Sequence, residues 1–174
     1  MRGSDSTSYP VRNMNIFFLD TNPIAAAQYH CDKHLGKMVL ESAQMLCTAI
    51  NERDGFQIAP YKSTHVNHPC SVWVRERADN AWWLYNLMLA LDTERMWRSG
   101  KTKPHLSACQ VHEFITRNGF HALFGSPCGT ISPPAQAMPE NFRNDDPVQA
   151  YRDYYREDKR HLHVWTKRNA PEWL

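Results

Sequence analysis

The segment AAAQYHCDKHLGKMVLESAQ, residues 25–44, combines helical spacing with side chains that can transfer protons or bind anions and metals. On a helix that turns by about 100° per residue, one sector of roughly 80° holds His30, His34, Lys37, Glu41 and Gln44, with Lys33 at its margin. The apolar residues of the segment point mainly to other sides and can bury the helix. The spacing therefore predicts one polar helix face.

Acid–base chemistry without a metal is one use of this face. Glu41 would act as a general acid or base, while His34 and the lysines Lys33 and Lys37 would position an anionic substrate. Burial of an ionisable side chain in a small bundle costs free energy unless the side chain is paired. Several such side chains on one helix of the bundle therefore indicate a cleft. The same residues are also typical of a solvated face, where a pair such as Lys37 with Glu41 contributes only about 0.2–0.5 kcal/mol.

Two pairs of histidines suggest a metal site as a second use. His30 and His34 are four residues apart, a spacing that suits zinc or iron, and either Glu41 or the loop residues His65 and His68 would complete the coordination. No complete ligand signature such as H-E-x-x-H occurs in the chain. We therefore expect no cofactor, with zinc or iron as the minor alternative.

The helix that carries this face is one of about five that the sequence predicts. Thr21 or Asn22 can cap it and Pro23 suits its first turn, so it should run to about Glu52. The other helices are expected at residues 69–76, at 80–100 with Asp79 as the cap, at 104–119, and at 148–165 with Asp146 as the cap. NIFFLD, residues 15–20, is a short strand or extended segment, and residues 124–142 form a long loop rich in Pro and Gly. The expected fold is all-α, a compact helical bundle with at most one short N-terminal strand.

Length and composition limit the class of protein. A chain of 174 residues with 42% apolar residues suffices for one domain, which we assign to residues 14–174, with residues 1–13 as a disordered leader or an expression remnant. No run approaches the roughly 18 apolar residues of a membrane span, and no signal-peptide pattern occurs. Five cysteines without a C-x-x-C pair argue against a disulfide framework and a cysteine zinc site. We expect a soluble cytoplasmic protein that does not bind membranes.

A family resemblance adds an activity to this picture. DKHLGKMVLE, residues 32–41, resembles the D-x-H-L-x5-E stretch on the catalytic helix of the phage pyrimidine-dimer DNA glycosylases with AP-lyase activity, the endonuclease V type. MPENFRND, residues 138–145, is similar to that family's P-x-x-F-R-x-D segment, and APEWL, residues 170–174, to its closing P-x-W. The resemblance implies that Glu41 matches the catalytic glutamate, His34 the helix histidine and Arg143 the arginine of the C-terminal segment. The whole pattern, with NHPCSVW and AYRDYY, also resembles small uncharacterised proteins encoded by phages.

The resemblance also implies a nucleophile, because that family attacks the sugar C1′ with its N-terminal α-amino group. Such an amine, with a pKa near 8, is about one-tenth unprotonated at pH 7. A chain that starts at Met14 brings an α-amine closer to Glu41 than one that starts at Met1. Lys33 or Lys37 could substitute if its pKa fell from about 10.4 by some two to three units. The arginines that flank the family's glutamate are replaced here by Leu40 and Gln44.

DNA is the expected partner, although a net charge of +2 does not by itself require it. Basic residues next to an aromatic suit phosphate contact and base stacking, and two such clusters surround Trp97 and Trp165. The candidate DNA-binding residues are His30, Gln44, Asn67, His68, Arg75, Arg98, Lys101, Lys103, Arg143, Lys159, Arg160, Lys167 and Arg168. The alternative for the two clusters is that the cations complement helix C-termini while the tryptophans pack in the core.

The sequence thus favours a DNA-acting enzyme, glycosylase/AP-lyase-like or base-modifying, that works on damaged or modified pyrimidines. One alternative is a DNA-binding or regulatory module without catalysis. The other is a histidine-ligated metal enzyme. If phages encode the protein, its compartment is the host cytoplasm.

Overall fold

The structure, a computed structural model, describes residues 14–174, so the predicted leader lies outside the described residues. Seven α-helices follow one another, and residues 14–174 contain no β-strand. The helices are α1 (Pro23–Tyr29), α2 (Asp32–Asp54), α3 (Pro69–Glu76), α4 (Ala78–Ser99), α5 (Leu106–Asn118), α6 (Phe120–Phe124) and α7 (Pro147–Glu157), with short 3-10 turns at Glu140–Phe142 and Arg160–Leu162. The all-α prediction is confirmed, with two more helices than the five expected.

The two longest helices, α2 and α4, pack along each other at the centre of the domain. Met38 and Leu46 of α2 and Leu84 and Leu87 of α4 are completely buried. Each such side chain contributes about 1.5–3 kcal/mol by leaving water. The packed pair of long helices thus supports the side chains of α2 that do not face α4.

Residues 14–19 are buried and have no regular secondary structure, and they pair with no strand among the described residues. The Asn15 side chain supplies hydrogen bonds in place of a neighbouring strand. Its Oδ1 accepts from the backbone N–H groups of Ile16 and Phe17 at 2.8 and 2.9 Å, and its Nδ2 donates to Ala137 O. The segment therefore reaches the core as an irregular strap. It places Met14 and Asn15 against α2.

The helix predicted from Pro23 to Glu52 is broken into α1 and α2. Asn22 caps α1 and Pro23 occupies its first turn, as expected. The chain then becomes extended at His30, with φ −65° and ψ 135°, before α2 begins at Asp32. The Asp32 N–H donates to Val164 O and its carboxylate accepts from Thr166, so contacts with the C-terminal segment replace helical hydrogen bonds at this point.

Asp79 was predicted to cap α4, but it lies in the first turn and binds a distant loop. Its carboxylate accepts from the backbone N–H groups of Cys128, Gly129 and Thr130 at 2.8, 2.6 and 3.0 Å. The first four N–H groups of a helix lack partners within it, and an Asp near the helix start is a common acceptor for them. This preference explains why the prediction for Asp79 was wrong. Here the carboxylate instead holds the Pro- and Gly-rich loop against the helix.

The last helix, α7, is shorter than predicted. Asp146 caps it by accepting from Val148 and Gln149 N–H, as expected, but the helix ends at Glu157 and not at residue 165. Its buried tyrosines, Tyr151 and Tyr155, pack toward the strap and α2. None of the helices in the described part of the chain is long and apolar enough to cross a membrane.

Candidate active site

A pocket of about 450 Å³ opens beside the middle of α2. Its lining is Met14 of the strap, Lys37, Leu40, Glu41 and Gln44 of α2, and Thr64 and His65 of the following loop. Three of the residues that the helical wheel placed on one face, Lys37, Glu41 and Gln44, therefore meet at one cavity. Lys33 lies one turn earlier on the helix, exposed to solvent, and does not line it.

Glu41 is the central polar group of this pocket, with 13% of its side chain exposed. Its Oε2 accepts from the backbone N–H of Asn15 at 3.0 Å, and its Oε1 lies 3.5 Å from Lys37 Nζ. Burial raises the pKa of Glu41, and the Asn15 N–H and the Lys37 charge oppose that shift without cancelling it. A carboxyl group with a raised pKa next to an amine is suited to passing protons.

The strap and the loop hold this pocket with unusual backbone conformations. Phe17 has φ 42° and His65 has φ 49°, and positive φ values are uncommon for residues other than glycine. For a bulky side chain such as that of Phe17, the value is an outlier. Such conformations cost of order 1–3 kcal/mol and occur preferentially at functional sites. Local hydrogen bonds accompany both: Phe17 N–H donates to Asn15 Oδ1, and His68 N–H donates to His65 O.

His34 lies beneath the strap and not in the pocket. It is 4% exposed, and its ring stacks on Phe17 with centroids 4.6 Å apart. The Tyr155 hydroxyl accepts from Cys31 N–H and lies 2.8 Å from His34 Nδ1, so it joins the start of α2 to the histidine ring. Burial, assisted by the charges of Lys37 and Lys159, lowers the pKa of His34 to about 3. His34 is therefore neutral at pH 7 and lies outside the pocket, which corrects its predicted role in positioning an anionic substrate there.

His30 is also an interior residue, and its predicted DNA contact is corrected by its complete burial. It follows α1 and is not part of α2, so the helical wheel that grouped it with Glu41 does not apply. Its Nδ1 donates to Ala26 O at 2.7 Å, and its Nε2 is enclosed without a partner among the described residues. Burial lowers the pKa of His30 to about 4.

The four histidines of the metal hypothesis do not converge. His65 is exposed and lies 2.8 Å from Thr64 Oγ1, while the His68 ring accepts from Cys70 N–H at the start of α3. Within residues 14–174, no three His, Cys, Asp or Glu side chains are placed to hold one ion. The zinc or iron hypothesis thus receives no geometric support from these residues.

Arg98 is the second predicted DNA-binding residue that the fold places in the interior, with 4% exposed. It pairs with Glu94 at 2.7 Å and Asp32 at 3.0 Å, and it donates to the carbonyls of His30 and Gln28 at 2.8 Å each. The contacts of its guanidinium therefore join α1, α2 and α4. The prediction for Arg98 is corrected, because a guanidinium in this position cannot reach a phosphate.

The two predicted basic clusters meet at Trp97. Lys167 Nζ donates to Trp97 O at 2.7 Å, and Arg168 pairs with Glu94 and lies over the Trp97 ring, 4.8 Å from its centroid. Trp165, the expected centre of the second cluster, is half-buried and donates to Tyr29 O. Protein groups thus neutralise much of the charge that the sequence assigned to DNA.

The remaining predicted DNA-binding residues lie at the surface or near it. Lys159 pairs with Asp158 and lies over the Tyr154 ring, but it stays close enough to lower the pKa of His34 together with Lys37. Asn67, Lys101, Lys103, Arg143 and Arg160 are exposed, and Arg75 is half-buried with Nη1 donating to Val66 O. Lys37 and Lys159 therefore both place positive charge near His34.

Comparison with known proteins adds no relative: no protein-family model matches the chain, and no curated protein or solved structure matches it significantly.

Proposed function

We propose that the protein acts on DNA as a glycosylase/AP-lyase-like enzyme with Glu41 as its acid–base group. The observation that carries the proposal is the pairing of an amine and a partly buried carboxyl group in one pocket, with Lys37 Nζ 3.5 Å from Glu41 Oε1. Imine-forming enzymes need an amine that can lose its proton and a neighbouring group that can accept it. The substrate class is a nucleotide with a damaged or modified pyrimidine, or the abasic sugar left after base removal.

The reaction at an abasic sugar requires two proton transfers that one carboxyl group can perform. The neutral amine nitrogen attacks C1′ of the open-chain aldehyde, the C=O π electrons move to the oxygen, and Glu41 passes one proton from the nitrogen to that oxygen, which gives a carbinolamine. A second proton, taken up from water by Glu41 and donated to the C1′ hydroxyl, lets it leave as water while the nitrogen lone pair forms the C=N bond of the protonated imine. The raised pKa of Glu41 suits both directions, since the group must hold the proton between the two steps.

Two amines can serve as the nucleophile. Lys37 is adjacent to the carboxylate, with 55% of its side chain exposed. In a chain begun at Met14 the α-amine would lie one residue from the Asn15 N–H that binds Glu41, on a residue that lines the same pocket. The second arrangement is the one that the family resemblance implies.

Borohydride trapping tests the proposal. Chains begun at Met1 and at Met14 are incubated with duplex DNA that contains an abasic site or a cyclobutane pyrimidine dimer, and reduction converts any imine into a stable adduct. We expect an adduct that is lost in Glu41→Gln. Mass spectrometry then locates the modified amine at Lys37 or at the α-amine.

The matched comparison is Lys37→Ala against Lys33→Ala, which removes an exposed lysine one turn earlier on the same helix. Loss of the adduct in the first and its retention in the second assigns the chemistry to Lys37. An equal loss in both would point to general charge effects, and absence of an adduct with either DNA would refute imine chemistry on those substrates.

A DNA-binding module without catalysis is the second candidate. Lys37 and Glu41 also have the i, i+4 spacing of an ordinary surface pair, and this favours a structural role for their contact. In that case Glu41→Gln would bind undamaged DNA as well as the unchanged protein does, and neither would form an adduct.

A further inference from the structure

A second pocket, of about 280 Å³, lies toward the C-terminal end of α2 and is lined by three arginines from three elements. Arg53 lies in the last turn of α2, Arg75 lies in the last turn of α3, and Arg77 directly precedes α4. Glu52 is the only acidic residue among the described residues that line it. Its remaining lining is apolar and consists of Ala49, Val74, Leu123 and Phe124.

The protein holds each guanidinium by one nitrogen and leaves other donors free to bind a ligand. Arg53 Nη1 donates to Ala122 O at 3.1 Å, Arg75 Nη1 to Val66 O at 2.8 Å, and Arg77 Nη2 to Cys128 Sγ at 3.2 Å, with the Asp79 carboxylate 3.8 Å away. A guanidinium has five N–H donors, so all three arginines retain donors beyond these contacts. Three positive charges at one cavity repel one another, and an anion bound between them would reverse that cost.

Phosphate is the anion that this arrangement fits best. The planar guanidinium fork matches two oxygens of a phosphate group, and the contacts to backbone carbonyls hold two of the three forks in place. The apolar lining contributes no competing acceptor.

The position of the arginine pocket relates it to Glu41. Eleven residues separate Glu41 from Glu52, which is about three full turns plus 20°, so both side chains leave α2 on the same side about 17 Å apart. The loop joins the two pockets as well, because His65 lines the first and Arg75 holds the carbonyl of the next residue, Val66.

We propose that Arg53, Arg75 and Arg77 form a phosphate-binding site that holds the backbone of the DNA strand whose nucleotide occupies the Glu41 pocket. The choice of DNA as the source of the phosphate rests on the proposed function. A free phosphate or a mononucleotide offers the same chemistry, and the experiment separates these sources.

The test measures binding of the full chain to a fluorescein-labelled, undamaged duplex by anisotropy, over about 50 to 200 mM salt. Arg53→Gln and Arg75→Gln are each expected to weaken binding about fivefold and to reduce the salt slope by about 1. Arg117→Gln is the charge-matched control, because Arg117 is exposed on α5 and does not line the pocket. Glu52→Gln is expected to tighten binding, a gain that a misfolded variant cannot produce.

Phosphorus NMR with inorganic phosphate forms the second arm. Phosphate binding that disappears in Arg53→Gln, together with unchanged DNA affinity, would overturn the DNA assignment in favour of a small phosphate ligand. Equal effects of Arg53→Gln and Arg117→Gln, or no gain in Glu52→Gln, would overturn the site itself. Binding of the undamaged duplex requires no imine, so a failed adduct experiment leaves this result intact and a failed binding experiment leaves the chemistry intact.

Discussion

Phe17 and His34 stack face to face, with ring centroids 4.6 Å apart and planes inclined by 17°. The contact joins the strap to α2, and Phe17 makes it from a backbone conformation with positive φ. A neutral imidazole packs against a phenyl ring at no electrostatic cost, whereas burial would oppose an imidazolium in the same place. The position of the strap, and of the Asn15 N–H that binds Glu41, thus depends on an uncharged His34.

Phe17→Ala should destabilise the protein by about 3–5 kcal/mol, because it removes a buried ring and leaves a cavity between the strap and α2. Urea denaturation followed by circular dichroism measures the loss. The control is Phe56→Ala, since Phe56 is 64% exposed and its removal should change the free energy of unfolding by no more than about 0.5 kcal/mol. A cost as small as that of the control would mean that the ring does not hold the strap.

Stability should fall as the pH decreases from about 6.5 toward 4 and 3. The unfolded chain binds protons at His30 and His34 near pH 6.5, whereas the folded protein does so only near pH 4 and 3, so unfolding takes up protons in this window. The contribution of the neutral histidines is complete above pH 6.5, and for His30 alone it amounts to about 3 kcal/mol that is lost on acidification.

Urea midpoints at a series of pH values check this dependence. His34→Gln should flatten the profile between pH 6.5 and 4, because it removes one of the two groups. His121→Gln is the control, since His121 is exposed and is not among the charges that act on His34, so its removal should leave the profile unchanged. Parallel profiles for His34→Gln and the unchanged protein would contradict the burial of a neutral His34.

Arg98→Gln should lower the free energy of unfolding of the protein and not simply weaken its DNA binding. Removal of the guanidinium leaves Glu94 with Arg168 as its remaining partner, Asp32 without one of its contacts and two carbonyls without donors, a loss of about 3–5 kcal/mol. Thermal denaturation measures it. Lys103→Gln, at an exposed position, should change the stability by less than about 0.5 kcal/mol. A stable Arg98→Gln protein with reduced DNA affinity would restore the role that the sequence suggested.

Asp79→Ala should release the loop around residues 128–130, because three backbone N–H groups lose their acceptor. The expected cost is about 1–3 kcal/mol, with faster proteolysis and faster amide exchange confined to that loop. Hydrogen exchange with mass spectrometry measures both the rate and the place. Uniformly faster exchange over the whole chain would show that Asp79 supports the fold in general and not the loop in particular.

The difference between Lys37 and His30 shows how far helical periodicity can be used to predict the site. Lys37, Glu41 and Gln44 share a pocket as the wheel predicts, because α2 is continuous through all three. His30 belongs to the same calculated sector, but the helix breaks between it and Asp32. No local signal marks the break, since Thr166, Val164 and Arg98, which compete for Asp32 and its neighbours, come from distant parts of the chain.

By itself the sequence determined the all-α class, a cap at residue 21 or 22, the cap at Asp146, and the grouping of Lys37, Glu41 and Gln44, because these depend on contacts within about one or two helical turns. Only the tertiary structure decided which charges remain for a ligand. It buried Arg98 and His34, paired Arg168 with Glu94, and gathered Arg53, Arg75 and Arg77 at one pocket. The physical reason is that desolvation and ion pairing depend on neighbours that are far apart in sequence, and periodicity carries no information about them.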